Sequence, residues 1–338
     1  MWLYLGFIGF VIAMLVIDLR FFHRDAHAPT TRESGTWVAV WVGMALIFGA
    51  MLLLFGNRLF GEALNDPHSN TELAALYFSA YLVEYSLSVD NMFVFLVIFA
   101  YFKVGLENQR RVLFFGILGA MVFRGIFIAA GVAIINRFEW VLYFFGALLI
   151  FTAYRIAKGT EDVDPSDNPV LKLAARRLPL SHKYDGQKFV TLENGKRLMT
   201  PLVLVLIVIE TTDIVFAVDS IPAALAITTE PFLVLTSNVF AILGLRALYF
   251  LLAGSMDRFH LLKYGLAVIL AFVGAKMLLA DVWHPEIWVS LSVIVGVLAA
   301  TVVASLVFPA KVTTEHLEVP EDNPYLDEDE NESDKDGT

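Results

Sequence analysis

The chain has no cysteine. Disulfides, thiolate metal sites and cysteine nucleophiles are therefore excluded, and nothing is learned of the redox compartment. It has no Walker loop, no Rossmann glycine fingerprint and no HExxH pair. Nothing thus marks it as an enzyme, and ATP-driven pumping would need a partner chain. It lacks a basic face, with 24 Lys and Arg against 34 Asp and Glu, which argues against nucleic acid as a partner. No basic residue precedes the first apolar run, Met1 to Ile17; Arg20 and Arg24 follow it. A signal peptide has the reverse order, so the run reads as a retained first span.

What the chain has instead is apolar length. Of 338 residues, 58% are hydrophobic, which places it among polytopic membrane proteins. Nine candidate spans cover 2–20, 36–56, 73–101, 112–135, 138–157, 200–223, 231–254, 262–281 and 287–308. Each is near the ~20 apolar residues that ~30 Å of hydrocarbon requires. Continuous runs of this kind are helices, not the short alternating strands of a barrel, so the fold is expected to be all-α. Sixteen Lys and Arg lie in or beside the odd-numbered loops, whereas the even-numbered loops carry only Arg58 and Arg137. The positive-inside rule puts the odd loops and the C-terminus in the cytoplasm, with the N-terminus outside.

Residues 1–309 form one transmembrane unit. Its only sizeable extramembrane piece, 158–199, is a cytoplasmic connector too short to be a domain, with a tight turn expected at Glu193-Asn194-Gly195-Lys196. The net charge of −10 resides mostly after Pro309, where eleven acids stand against Lys311 and Lys335. Residues 310–338 read as a solvated, disordered tail.

Two stretches carry the chemistry. Glu84-Tyr85-Ser86-Leu87-Ser88-Val89-Asp90-Asn91 is matched by Asp213-Ile214-Val215-Phe216-Ala217-Val218-Asp219-Ser220. Glu84 and Asp90 precede Asp213 and Asp219 by 129 residues, Arg124 precedes Arg246 by 122, and Arg155 precedes Lys276 by 121. Residues 73–157 and 200–281 therefore read as two three-span repeats. Three is odd, so the second repeat enters from the opposite side. A twofold axis in the membrane plane would then bring the two motifs together at mid-depth. Ionisable residues at that depth are costly and are functional candidates by default.

At about 100° per residue, Glu84, Ser88 and Asn91 share one helical stripe, and Asp213, Ala217 and Ser220 share another with Glu210 close by. Asp90 and Asp219 point about 120° away from their partner acids. Either the helices unwind locally, which Pro222 favours in the second copy, or the two acids of each motif do different work. Glu84, Asp90, Asn91, Glu210, Asp213, Asp219 and Ser220 are all oxygen donors, which suits Mg²⁺, Ca²⁺ or Mn²⁺. The bland alternative is that the acids pair with Arg124, Arg246, Arg155 and Lys276 and only stitch helices together. A mixed arrangement has the arginines holding one acid of each half while the other binds the ion. Asp18 is an interfacial anchor or a cytoplasmic entrance ligand.

The motifs resemble those of the TerC family, with its Alx-type bacterial members nearest. The similarity extends to Leu-Thr-Ser-Asn-Val-Phe-Ala-Ile-Leu-Gly-Leu-Arg-Ala at 235–247, to Lys263-Tyr264-Gly265 and to Asp18, and covers residues 1–308. The resemblance implies a bacterial inner-membrane protein related to LysE-type and cation-exchanger transporters, with members tied to tellurium resistance, alkaline response and manganese homeostasis. It maps the family's acids onto Glu84, Asp90, Asp213 and Asp219. The expected function is export of a divalent cation, Mn²⁺ foremost, in exchange for protons, with no bound cofactor. The alternative is an accessory membrane factor that assists metal loading or insertion of envelope proteins through the connector and the tail. Partners are the bilayer, the metal ion and protons, with a second copy or other membrane proteins left open.

Reporter fusions check the topology. Fusions at 180 and 320 should both report the cytoplasm, and a fusion at residue 1 should not. Opposite sides for 180 and 320 would break the nine-span count.

Overall fold

The computed structural model describes residues 2–22, 30–61, 64, 68–138, 140–159, 165–253, 261–283, 285–308 and 325, with the backbone alone for 18–22. The Asp18 side chain and, apart from Tyr325, the tail 310–338 lie outside the described residues.

Helices form on all nine apolar segments. They are α1 (Trp2–Phe22), α2 (Thr31–Phe60), α3 (Asn70–Tyr101), α4 (Leu106–Arg137) and α5 (Val141–Lys158). The connector adds a short helix, α6 (Pro169–Arg177), and a two-stranded sheet, β1 (Val190–Glu193) with β2 (Lys196–Met199). Then come α7 (Pro201–Ile227), α8 (Pro231–Leu243), α9 (Leu245–Leu252), α10 (Leu262–Leu278) and α11 (Ile287–Val307). Among the described residues six helices are long and apolar enough to cross a membrane, or seven if α8 and α9 are one span. The shortfall from nine has a simple cause. The apolar part of α1 is Trp2–Ile17, and α10 has 17 residues. The architecture is an all-α polytopic membrane protein.

Local chemistry starts and stops these elements. Thr30 and Ser69 each close a capping box, with Glu33 and Glu72, at the heads of α2 and α3. Pro201 and Pro231 occupy the first turns of α7 and α8, where a missing N–H costs nothing. Gly159 ends α5 at φ 70. The turn at Glu193–Lys196 is a tight antiparallel hairpin, with Asn194 and Gly195 at φ 49 and 77, the two positive values that a two-residue hairpin turn demands. Beside it, hydrogen bonds from Lys188 and Thr191 hold the Asp185 carboxyl below its usual range.

Two expectations about helix continuity need correction. Helix α7 runs unbroken through Pro222, so the expected unwinding there is absent. Tightly packed neighbours can keep a proline inside a membrane helix when the lost hydrogen bond is tolerated, and Ile221, Pro222, Ala223 and Ala224 are all buried. The break falls instead at Gly244, where α8 and α9 meet at 41°. Arg246 lies two residues beyond the bend and is buried.

Small residues let the helices approach. On α4, Gly116 faces Ile209 of α7 and Gly131 faces Leu225; a Cβ at these glycines would lie 3.1 and 2.8 Å from those side chains. Apolar burial cannot drive such contacts within lipid, so close packing must. Helices α5 and α10 meet at Gly146 and Gly274. A Cβ on Gly146 would come 3.0 Å from the carbonyl oxygen of Gly274, and one on Gly274 would come 2.8 Å from that of Gly146. Gly146 also faces Leu278, and Gly274 faces Ile150, each four residues along the other helix. Such reciprocity is the pattern that a local twofold axis produces.

Gly274→Ala should therefore force α5 and α10 apart, because a backbone oxygen cannot swing aside. The expected loss is about 1–3 kcal/mol of stability, read as a lower melting temperature of the purified protein. An unchanged melt would mean that the contact can relax.

Candidate functional site

The period-based stripes are real. Glu84, Ser88 and Asn91 are all buried on α3, and Asp213, Ala217 and Ser220 are all buried on α7. The opposite side of α7 presents Val215 and Val218 outward. Glu84 and Asp213 lie near the midpoints of their helices.

The two converge on one side chain, Arg124 of α4, which is 1% exposed. Its Nη1 donates to Glu84 Oε1 and to Ser220 Oγ, the latter at 3.2 Å. Its Nη2 donates to Asp213 Oδ1 at 3.2 Å, and its Nε lies 3.4 Å from Oδ2. The planar guanidinium fork suits this side-on grip of a carboxylate. Both Asp213 oxygens are engaged. Glu84 Oε2 is buried with no hydrogen-bond partner among the described residues, as is Ser88 Oγ one turn away.

Asp90 and Asp219 go elsewhere, as their angle predicts. Asp219 Oδ1 accepts a 2.9 Å hydrogen bond from Thr152 of α5, and Arg155 lies close enough to act on its charge. Asp90 is half-buried, and Lys263 at the head of α10 acts on it. The first acids of the two motifs thus share one arginine, and the second acids face separate bases. This resembles the mixed arrangement, except that one arginine serves both halves. Arg246 is buried on α9. Lys276 is half-buried on α10 and forms no ion pair with a described acid.

Glu210, one turn before Asp213, folds its carboxylate over Gly119 of α4, where a Cβ would overlap it. Its neighbour Thr211 accepts a 2.9 Å hydrogen bond from Asn168 Nδ2. Asn168 also caps α6, so the connector is fastened to the middle of α7. No three described His, Asp or Glu side chains converge as a cage for a metal ion in this arrangement.

Sequence reasoning missed several polar groups. Both amide atoms of Asn238 on α8 are buried without a hydrogen-bond partner among the described residues; the signal was a lone amide in an apolar run. Thr152 gave no signal, since a threonine in an apolar span is common. His68 Nε2 lies 3.6 Å from Glu230 Oε1 and ties the start of α3 to the start of α8. That pair joins two loops remote in sequence and had no local mark.

A bundle of apolar helices around a buried arginine–carboxylate cluster defines a polytopic integral membrane protein that keeps charge inside its span. Residues 69–313 match the Integral membrane protein TerC family. The chain belongs to that family. It is 46% identical over 320 residues to an uncharacterized membrane protein of Myxococcus xanthus, covering 94% of this chain and 96% of the relative. It is 48% identical over 298 residues to the "Putative membrane-bound redox modulator Alx" of Escherichia coli (strain K12), covering 88% and 91%. A Mycobacterium bovis membrane protein is 41% identical over 274 residues, 80% of this chain and 66% of that one. No solved structure matches the chain.

Arg124→Met should destabilise the fold by about 3–5 kcal/mol, because it strands two buried carboxylates. Adding Glu84→Gln and Asp213→Asn to the same chain should recover part of that loss. Thermal melts of the three proteins decide the matter, and a single variant that melts like the wild type would mean the cluster carries no such energy.

Proposed function

We propose that the protein is a secondary transporter that exports a divalent metal cation, Mn²⁺ foremost, across the bacterial inner membrane in exchange for protons. The observation that carries this reading is the meeting of Glu84 and Asp213, one from each matched motif, midway along two membrane helices. A purely structural ion pair would need one acid. Here two acids meet one arginine, and one carboxylate oxygen has no hydrogen-bond partner among the described residues. Acids in excess of bases at such depth suit a passing cation and the protons that replace it. All the donors in reach are oxygens, the ligand class of Mn²⁺, Mg²⁺ and Ca²⁺.

In this reading six of nine spans, residues 73–157 and 200–281, form two inverted repeats, with the N-terminus outside and the connector inside. The reciprocal contact of Gly146 and Gly274 supports the repeat. Asp90, Asn91, Glu210, Asp219 and Ser220 complete the cation path with Glu84 and Asp213. The E. coli relative's printed name speaks of redox modulation. This chain has no cysteine, so thiol exchange is closed to it, and an influence on redox balance would run through the metal that it moves.

Proteoliposomes that hold only this protein test the reading. Asp90→Asn and Asp219→Asn should each reduce Mn²⁺ flux to background while the protein still inserts, because charge is removed at constant size. Normal flux in either variant takes that residue out of the path. Carboxylates must shed protons to bind a metal, so Mn²⁺ affinity should rise with pH and binding should release protons into weak buffer. A pH-independent affinity with no proton release would exclude proton exchange.

A further inference from the structure

We propose that Arg124 is an internal competitor for the transported cation: it occupies the two carboxylates when the site is empty and must yield them when the cation binds. The proposal rests on the transport reading and adds a regulating group to that site.

At these two acids charge favours one occupant at a time. Glu84 and Asp213 together carry two negative charges, which a divalent cation cancels. With Arg124 still between them, the same groups and the cation would hold one positive charge in excess. An uncompensated charge at this depth costs several kcal/mol. Position points the same way. The guanidinium lies where both carboxylates aim and engages three of their four oxygens. The fourth, Glu84 Oε2, is buried and has no hydrogen-bond partner among the described residues. Of these four oxygens it is the contact open to a cation before the arginine gives way.

The residue type matters. Arginine stays charged in any protein environment, so it cannot be neutralised in place as a lysine can. It is a permanent counter-ion on a long, flexible stem. When the cation leaves, the acids need not stand bare in the membrane, because the guanidinium returns to them. The same return lowers the affinity for the cation and speeds its release. Apparent affinity falls by the fraction of time that a site is free. A site held by the arginine nine-tenths of the time would therefore bind about tenfold more weakly than its carboxylates alone.

The test compares wild type, Arg124→Gln and Arg124→Lys as purified full-length proteins and in proteoliposomes, with Mn²⁺ alone as the probe. Arg124→Gln should bind Mn²⁺ about tenfold more tightly than wild type. Its KM and its maximal flux should fall together, because release is slowed. Its melting temperature should rise more with Mn²⁺ than that of the wild type. Arg124→Lys keeps a charge that can be neutralised in place and should bind Mn²⁺ with an affinity between those of wild type and Arg124→Gln, with part of the flux restored. If Arg124→Gln is stable only with Mn²⁺ and unfolds when the metal is chelated, that also supports competition. If it is equally unstable with and without Mn²⁺, or binds Mn²⁺ no more tightly than wild type, the competitor role is overturned while transport by the wild type leaves the function standing. If neither wild type nor variant binds or moves Mn²⁺, both readings fall.

Discussion

Arg124 in contact with Glu84 and Asp213 sets the terms for everything around it. Three charged groups, each all but excluded from solvent, sit inside helices that would otherwise pass for ordinary spans. Such groups persist only if their partners are held in place, since an unpaired buried charge is expensive. The requirement fixes α3, α4 and α7 relative to one another. It explains why α4 offers glycines at Gly116, Gly119 and Gly131 where α7 passes. A bulkier face on α4 would hold α7 away and lengthen the contacts to Asp213.

The remaining packing follows from that central need. Helices of the first half pack chiefly on helices of the second: α3 on α7 and α8, α4 on α7, α5 on α10. Neither half has a closed core of its own. The connector is no loose tether either, because Leu171 is fully buried and Asn168 reaches Thr211. A shift of α7 would therefore be felt in the connector at α6, and the reverse holds too. The bend at Gly244 places a second buried arginine, Arg246, just beyond a break in the helix, where its neighbours can tolerate a change of direction.

Much of this was legible in the residues, for definite reasons. A helix period of 3.6 residues separates Glu84 from Asp90 by face, and the structure sends them to Arg124 and toward Lys263 accordingly. The spacing alone also paired Glu84 with Asp213. The turn at Asn194-Gly195 was readable because few residues accept positive φ. What sequence could not yield were decisions made by packing. Pro222 looked like a break and is not one, because its buried surroundings hold the helix straight. Gly244 looked innocuous and is the break. Asn238, Thr152 and the contact of His68 with Glu230 depend on which helices become neighbours, and no local pattern encodes that. The choice of Arg124 to serve both motifs, where three arginines and a lysine were candidates, belongs to the same class.

The distribution of charge among the helices also bears on how the chain is made. Helices α3 and α4 are consecutive, and they carry Glu84 and Arg124, which pair across the short turn that joins them. Both are made before α7, so these two charges can cancel each other before it arrives, which spares the bilayer two separate costs. Helix α7 has no such companion. It carries Glu210, Asp213 and Asp219 and no basic residue of its own, and the counter-charge for Asp213 was synthesised 89 residues earlier. Its stable insertion depends on α3 and α4 already waiting beside it. The order in which the two halves emerge from the ribosome is thus written into the position of a single arginine.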